Sequence, residues 1–343
     1  MNILLTGGAG YIGSHAAVAL AKAKHRIIIY DNFCNSSFDV ISRLCKVTGQ
    51  TILTVRGDIR DTPLLQASIE KYNIAAVLHF AGLKAVSESV MRPVEYYSNN
   101  IQGSISLLQA MQNANQGRGI KKLIFSSSAT VYGEPRYLPI DEDHPIHATS
   151  PYGRSKLHIE EMFTDVAHSD SSWQIVSLRY FNPVGAHESG LIGEEPNGIP
   201  NNLMPYILHV ADGQLPYLNV FGNDYPTVDG TGIRDFIHVM DLAEGHLAAL
   251  HYLSEGSSGF FTFNLGTGIG FSVLELIHSF EMNTNYCIPY KIVSRRPGDI
   301  ASSYAKVDKA RQLLGWEAKR SIADMMMSAW GWQSRRLAFL EKS

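Results

Sequence analysis

The chain is predicted to be an α/β protein, a doubly wound parallel sheet joined to a smaller C-terminal α/β domain. Three observations carry this expectation. The first 180 or so residues alternate short apolar runs with helical stretches, the pattern of strands covered by helices on both faces. The first apolar run passes directly into a glycine-rich turn and then a helix. The rhythm finally breaks, between about Gly185 and Pro205, into Gly-, Pro- and Asn-rich sequence of the kind that caps a sheet.

Composition narrows the possibilities. A chain of 343 residues can bury a large core in one domain or two coupled ones. With 45% hydrophobic and 18% charged residues and a net charge of −3, it carries neither a nucleic-acid footprint nor a disordered tail. An anionic ligand must therefore be held by local basic residues. The three cysteines, Cys34, Cys45 and Cys287, show no C-x-x-C spacing, so free thiols in a reducing compartment are expected. No apolar stretch reaches membrane-spanning length and no secretory pattern opens the sequence, so a soluble cytoplasmic protein is expected, without membrane or nucleic-acid partners.

Taken in order, Asn2 to Thr6 reads as a buried strand. Gly7-Gly8-Ala9-Gly10-Tyr11-Ile12-Gly13 follows, then a helix from Ser14 to Ala23. Gly8, Gly10 and Gly13 satisfy G-x-G-x-x-G, and Gly7, Gly10 and Gly13 satisfy G-x-x-G-x-x-G. Such glycines let the backbone approach a pyrophosphate at a helix N-terminus. A second strand, Arg26 to Tyr30, ends in Asp31, eighteen residues beyond Gly13. A carboxylate there accepts from ribose hydroxyls and repels a 2′-phosphate, which favours NAD over NADP. Thr51 to Arg56 reads as a strand ending in Gly57-Asp58-Ile59, and Pro63 to Tyr72 as a helix. Ala75 to Phe80 is a strand closing in Ala81-Gly82-Leu83-Lys84, and Glu95 to Asn115 a long helix. Lys121 to Phe125 is a strand that runs into Ser126-Ser127-Ser128. Ligands bind such sheets at the carboxyl ends of the strands, where these small and polar residues collect.

Ser150-Pro151-Tyr152-Gly153-Arg154-Ser155-Lys156 opens a helix running to about Ala167, with Pro151 suited to its first turn. Tyr152 and Lys156, at i and i+4, share one face. A free phenol has a pKa of about 10, so a tyrosine base near neutrality needs a shift of ~3 units. A nearby cation supplies ~1–3 units, and an oxidised nicotinamide would add a second positive charge. Alone, Tyr-x-x-x-Lys is ordinary helix surface; beside a dinucleotide cradle it is a candidate catalytic pair. Trp173 to Tyr180 is a further strand, ended by Phe181-Asn182-Pro183. Leu218 to Val220 is a short strand, while helix Asp241 to Leu253 and strand Phe260 to Leu265 return to the sheet. The expected division is residues 1–180 plus about 236–264 for the NAD-binding part, and about 181–235 plus 265–343 for the substrate part. His144 and His147 suggest a solvated loop and no metal site. His79 and His238 are expected to satisfy local backbone bonds, and Met325-Met326-Met327 to pack a helix.

Several longer motifs make the chain resemble the UDP-glucose 4-epimerase family of extended short-chain dehydrogenase/reductases, whose sheet is Rossmann-type. They are Thr6 to Gly13, Phe80-Ala81-Gly82-Leu83-Lys84, Ser126-Ser127-Ser128-Ala129-Thr130-Val131-Tyr132-Gly133, Arg179 to His187, Asn201-Asn202-Leu203-Met204-Pro205-Tyr206 and Gly230 to Val239. The resemblance implies reversible inversion at carbon 4 of UDP-hexoses through a transient 4-keto sugar, with NAD retained. It places cofactor contacts on Tyr11, Ile12, Asp31, Asn32, Asn35, Ser36, Asp58, Ile59, Phe80, Ala81, Gly82, Lys84, Asn99, Tyr152, Lys156 and Phe181, beside Gly7, Gly10 and Gly13. It makes Tyr152 the acid/base group, with Ser128 sharing its oxygen and Lys156 holding the nicotinamide ribose and lowering the phenol pKa. Substrate contacts are implied at Lys84, Ser128, Tyr152, Asn182, Asn202, Leu203, Arg234, Arg296 and Asp299. Phe221 suits a place beside the uracil. Counting from Arg296 and Asp299, the position that gates sugar size in the family is Ser303, which would admit UDP-GlcNAc and UDP-GalNAc; a one-residue slip would put Tyr304 there and restrict the enzyme to UDP-Glc and UDP-Gal. A 4,6-dehydratase would need an Asp-Glu pair where Ala129-Thr130 stands. A net NAD-dependent dehydrogenase would accumulate NADH. A cofactor-sensing regulator on the same fold could dispense with Tyr152 or Lys156, and both are present with Ser128. Helices Glu95 to Asn115 and Pro151 to Ala167 resemble the family's homodimer interface.

Overall fold

Seven parallel strands form the central sheet of the computed structural model, which describes residues 1–116, 118–195, 202–296 and 298–340. Asn201, the first residue of one of the motifs above, and Pro297, which follows Arg296, lie outside the described residues. In chain order the strands are β1 (Asn2–Thr6), β2 (Arg26–Asp31), β3 (Leu53–Arg56), β4 (Ala76–His79), β5 (Lys122–Ser128), β6 (Gln174–Tyr180), β7 (Asn182–Val184), β8 (Leu218–Phe221), β9 (Ile233–His238), β10 (Gly259–Leu265), β11 (Gly270–Ser272), β12 (Tyr290–Val293) and β13 (Ser302–Ser303). The large sheet runs β10-β6-β5-β4-β1-β2-β3. Its centre is apolar on both faces because both are covered. Ile3 and Leu5 point into one core with helices Tyr11–Lys22, Asp39–Thr48 and Val239–Ser254. Leu4 points into the other, with helices Thr62–Lys71, Gly103–Asn113 and Pro151–Ser169.

The smaller region is built around β9. It pairs antiparallel with β11 and parallel with β13 and β7, while β8 pairs with β12. Helices Leu203–Ala211, Val273–Thr284 and Ile322–Leu340 cover these strands over a separate core. Met325 and Met326 are buried in that core and Met327 is half exposed, as helix packing requires.

Three local expectations differ from the structure. The helix read as Glu95 to Asn115 starts at Pro93 and is interrupted by a π-helical turn, Ser98–Gln102, before continuing as Gly103–Asn113. An inserted residue of this kind shifts the register of a helix face and re-aims Asn99 and Asn100. Strand β5 continues through all three serines instead of ending at Phe125, because Ser126 to Ser128 pair with Leu178 to Tyr180 of β6. His144 is buried, not solvated: its Nε2 accepts from the Arg136 N–H (3.0 Å) and its ring packs on Tyr132 and Tyr137. His147 is exposed as expected.

Candidate active site

The glycine loop is shaped by space. Gly7 has φ +69°, and a Cβ on it would lie 2.6 Å from the Ala81 amide nitrogen; one on Gly13 would lie 2.5 Å from the Gly7 carbonyl oxygen. The loop therefore lies flat on the ends of β1 and β4 and delivers the start of helix Tyr11–Lys22 to the sheet edge. Gly10 caps that helix with no side-chain acceptor, and no acidic residue lies in its first turn. The amides around Tyr11, Ile12 and Gly13 are thus available to an anion, which fits a dinucleotide pyrophosphate. Asp31 closes the far side, accepting from the Ala9 N–H (3.0 Å), the Phe33 N–H (2.8 Å) and the Ser36 hydroxyl (3.3 Å). Burial raises its carboxyl pKa, opposed by these hydrogen bonds.

Other residues expected at the cofactor have mixed surroundings. Asn32 accepts from the Cys34 N–H and Asn35 is exposed on the same loop. Asp58 is gripped by Arg60 through Nε (2.8 Å) and Nη2 (2.7 Å), which lowers its pKa to about 2. Ile59 is buried against Gly103, and Phe181 is buried with Val131, Tyr132 and Ile140, so both also serve the core. Phe80 packs on His246 (4.9 Å between rings). Asn99 donates to Asn100 Oδ1 (3.0 Å).

The catalytic candidates converge at the carboxyl end of β5. Ser150 caps helix Pro151–Ser169 by accepting from the Gly153 N–H (3.1 Å), which fixes the turn that carries Tyr152. Ser128 lies beside Tyr152, close enough for its hydroxyl to favour the ionised phenol. Lys156 donates to the Ser126 carbonyl (2.6 Å), and its ammonium lies 5.9 Å from the Tyr152 ring centroid. A Cβ on Gly82 would sit 3.3 Å from Asn100 Oδ1, a tight contact, and at ordinary distance from Lys156 Nζ. Burial pushes the Tyr152 phenol up to about 12, with the Ser128 hydroxyl opposing that rise. Lys156 is itself brought down to about 7 by burial, with the Glu160 carboxylate holding it up. Desolvation is the largest influence on both groups.

Sequence reasoning missed the supports of this cluster. Asn100 is buried and ties the loop after β4 to the catalytic helix: it accepts from the Leu83 N–H (2.8 Å) and donates to the Leu83 carbonyl (3.1 Å) and the Ser155 hydroxyl (3.0 Å). His79 bonds the hydroxyls of Thr6 (2.7 Å) and Ser104 (3.0 Å) instead of backbone, and burial lowers its pKa to about 3. His238 does take a backbone partner, the Met240 N–H (3.0 Å).

The substrate candidates form a second group around β9. Arg234 is paired in register with Ser303 of β13, and burial lowers its pKa while Asp299 opposes that shift. Arg296 binds Asp299 (2.9 Å) and lies 4.7 Å over the Phe221 ring. Ser303 is buried. Asn182 is exposed at the start of β7, and Asn202 caps the helix that begins with Leu203. Lys84 Nζ and Asn202 Nδ2 both reach Glu194 Oε1, each at 3.0 Å. Among the described residues no cluster of metal-ligating side chains occurs.

A family profile described as GDP-mannose 4,6 dehydratase matches residues 4–329. The UDP-glucose 4-epimerase of Neisseria gonorrhoeae is 52% identical over 98% of each chain. The structure of UDP-glucose-4-epimerase from Stenotrophomonas maltophila, with bound NAD and formylated UDP-arabinopyranose, is 50% identical and covers 99% of each chain with a TM-score of 0.96. That of UDP-glucose 4-epimerase from Bifidobacterium longum, in complex with NAD+ and UDP, is 49% identical, covers 98% of this chain and 99% of its own, and has a TM-score of 0.94. With its glycine cradle, its Ser128–Tyr152–Lys156 cluster and this likeness along nearly the whole chain, the protein belongs to the UDP-glucose 4-epimerase family of the extended short-chain dehydrogenase/reductases.

Proposed function

We propose that this chain is an isomerase that inverts carbon 4 of UDP-hexoses, interconverting UDP-glucose and UDP-galactose with NAD held at the glycine loop. The observation that carries the reading is the meeting of Ser128, Tyr152 and Lys156 at the end of β5, beside an uncapped helix N-terminus fit for a pyrophosphate. NAD, when bound, would supply reversible hydride acceptance at carbon 4, so that a 4-keto sugar could form transiently without net oxidation. Tyr152 takes the proton from the 4-hydroxyl and gives it back, and Ser128 shares that oxygen. Lys156, fixed by the Ser126 carbonyl, holds the nicotinamide ribose. Arg234, Arg296 and Asp299 clamp the UDP while the sugar turns over.

The assignments of individual contacts above, and the division into an NAD part (1–180 plus about 236–264) and a UDP-sugar part (about 181–235 plus 265–343), belong to this reading. So does activity on UDP-GlcNAc and UDP-GalNAc. Its support is that Ser303, and not Tyr304, stands in register with Arg234, while successive strand residues point to opposite faces. A homodimer through helices Pro93–Asn113 and Pro151–Ser169 is supported by the exposed Val90, Met91 and Val94 beside them. A cytoplasmic location accords with the family, and among the described residues no helix is long and apolar enough to cross a membrane. A dehydratase is disfavoured because Ala129 and Thr130 follow Ser128 where that chemistry needs two carboxyl groups.

NMR of the purified protein, given UDP-galactose or UDP-N-acetylgalactosamine without added NAD, tests the proposal. Conversion of both sugars to their 4-epimers is expected. Conversion of UDP-galactose alone would remove the N-acetyl activity. Failure with both, even with NAD supplied, would overturn the epimerase reading.

A further inference from the structure

A segment outside the expected binding residues is fastened to the helix that follows the glycine loop. The Tyr11 hydroxyl, from the first turn of the helix that faces the pyrophosphate, donates to the Gly185 carbonyl (2.7 Å). Farther along, the chain is fastened again. Glu194 Oε1 accepts from Lys84, on the loop after β4, and from Asn202, at the start of the substrate-side helix. The Glu194 carbonyl accepts from the Trp332 indole N–H (3.2 Å), and the indole lies so close to Gly193 that a Cβ there would sit 2.4 Å from it. Glu195 bridges Arg43, on the helix after Asp31 (3.3 Å), and Arg336, on the C-terminal helix (3.0 Å).

These fastenings lie on both sides of the cradle. Arg43 and Lys84 belong to the part that carries the glycine loop, and Trp332, Arg336 and Asn202 to the part that carries the UDP candidates. A ligand laid along the carboxyl edge from Asp31 to Lys156 passes the start of helix Tyr11–Lys22, where the segment is fastened. We propose that residues Gly185–Glu195 form a clasp over the mouth of the dinucleotide cleft, with Glu194 and Glu195 as positioning residues that set how slowly NAD leaves. This rests on the NAD-binding reading above and adds what retains the cofactor through turnover. Glu194 acts through Lys84 and Asn202, joining a cofactor-side group to a substrate-side group. Glu195 joins the two parts directly.

The test loads the holoenzyme with radiolabelled NAD and chases it with excess unlabelled NAD, following label retained on the protein. Glu194→Gln with Glu195→Gln is expected to lose label ~3- to 30-fold faster, since partly exposed ion pairs are individually weak and several are cut together. Added salt should speed loss from the wild type and leave the double variant nearly unchanged. Arg43→Gln approaches the same contact from the other side; it should speed loss, and combining it with Glu195→Gln should add little, because one interaction is being removed twice. Equal release rates in wild type and the Glu194/Glu195 variant overturn the clasp, as do additive effects of Arg43→Gln and Glu195→Gln. A protein that neither carries nor binds NAD overturns the cofactor reading, and the clasp with it.

Discussion

Arg179 grips Glu160 through Nε (3.2 Å to both carboxylate oxygens) and Nη2 (2.7 Å), with both side chains 4% exposed. The Ser177 hydroxyl also donates to Glu160 (2.8 Å), and Arg179 Nη1 donates to the Tyr132 hydroxyl (3.0 Å). The pair fastens the catalytic helix to β6 one turn beyond Lys156. Removing one charge strands the other in the core. Glu160→Gln should therefore destabilise the fold by about 3–5 kcal/mol, read from urea unfolding. An unchanged midpoint would show that the pair adds nothing.

Tyr152→Phe removes the hydroxyl proposed to move the proton and little else, since the ring remains packed. Epimerisation of UDP-galactose should fall by ~10²–10⁴-fold. NAD content, measured after denaturing the purified variant, should match the wild type. Loss of both together would mean the substitution acts through the cofactor site instead.

Lys156 gives stability a pH dependence of known sign. Burial brings its folded pKa down to about 7, below the unfolded value, so between these values the unfolded chain binds more protons. Its contribution to stability therefore rises as pH climbs from about 7 toward about 10.4. Relative to Lys156→Met, the wild type should gain melting temperature between pH 7.5 and pH 9.5. A wild type that loses ground to the variant over that interval would reverse the sign.

Much of this architecture is legible in the sequence because apolar runs and glycine turns are local signals. The strands from Asn2 to His79 and the cradle beside Asp31 follow from them directly. What escapes such a reading depends on distant partners. Nothing near Asn100 in sequence says that it will bridge Leu83 and Ser155, and the π-helical turn that aims it leaves helical periodicity almost intact. Ser126 to Ser128 read as loop because hydroxyls obscure a strand whose buried backbone pairing is with β6. A signal does exist for Arg179, a charge inside the apolar run Ile175 to Tyr180, where only a buried partner makes it tolerable. The burial that pushes the Tyr152 phenol up is likewise invisible in a local reading of the sequence.

Ser303→Tyr tests the size gate. A phenol at this buried position beside Arg234 should narrow the sugar side. The kcat/KM for UDP-GalNAc should fall at least ~10-fold more than that for UDP-galactose, about the discrimination that unfavourable pocket contacts provide. Parallel losses on both substrates would show that Ser303 does not select for sugar size.

The late arrival of β10 has a bearing on how the chain can be divided. The sheet that holds the glycine loop takes its last strand from Gly259–Leu265, after the chain has already built β7, β8 and β9. A fragment ending near residue 180 would leave the whole of β6 as a bare, apolar edge, ready to pair with another molecule. On the ribosome, the large sheet likewise cannot be completed until β7, β8 and β9 have been made. The large sheet and the smaller one around β9 are interleaved in sequence, so neither is a module that could be lifted out, swapped or inherited without the other.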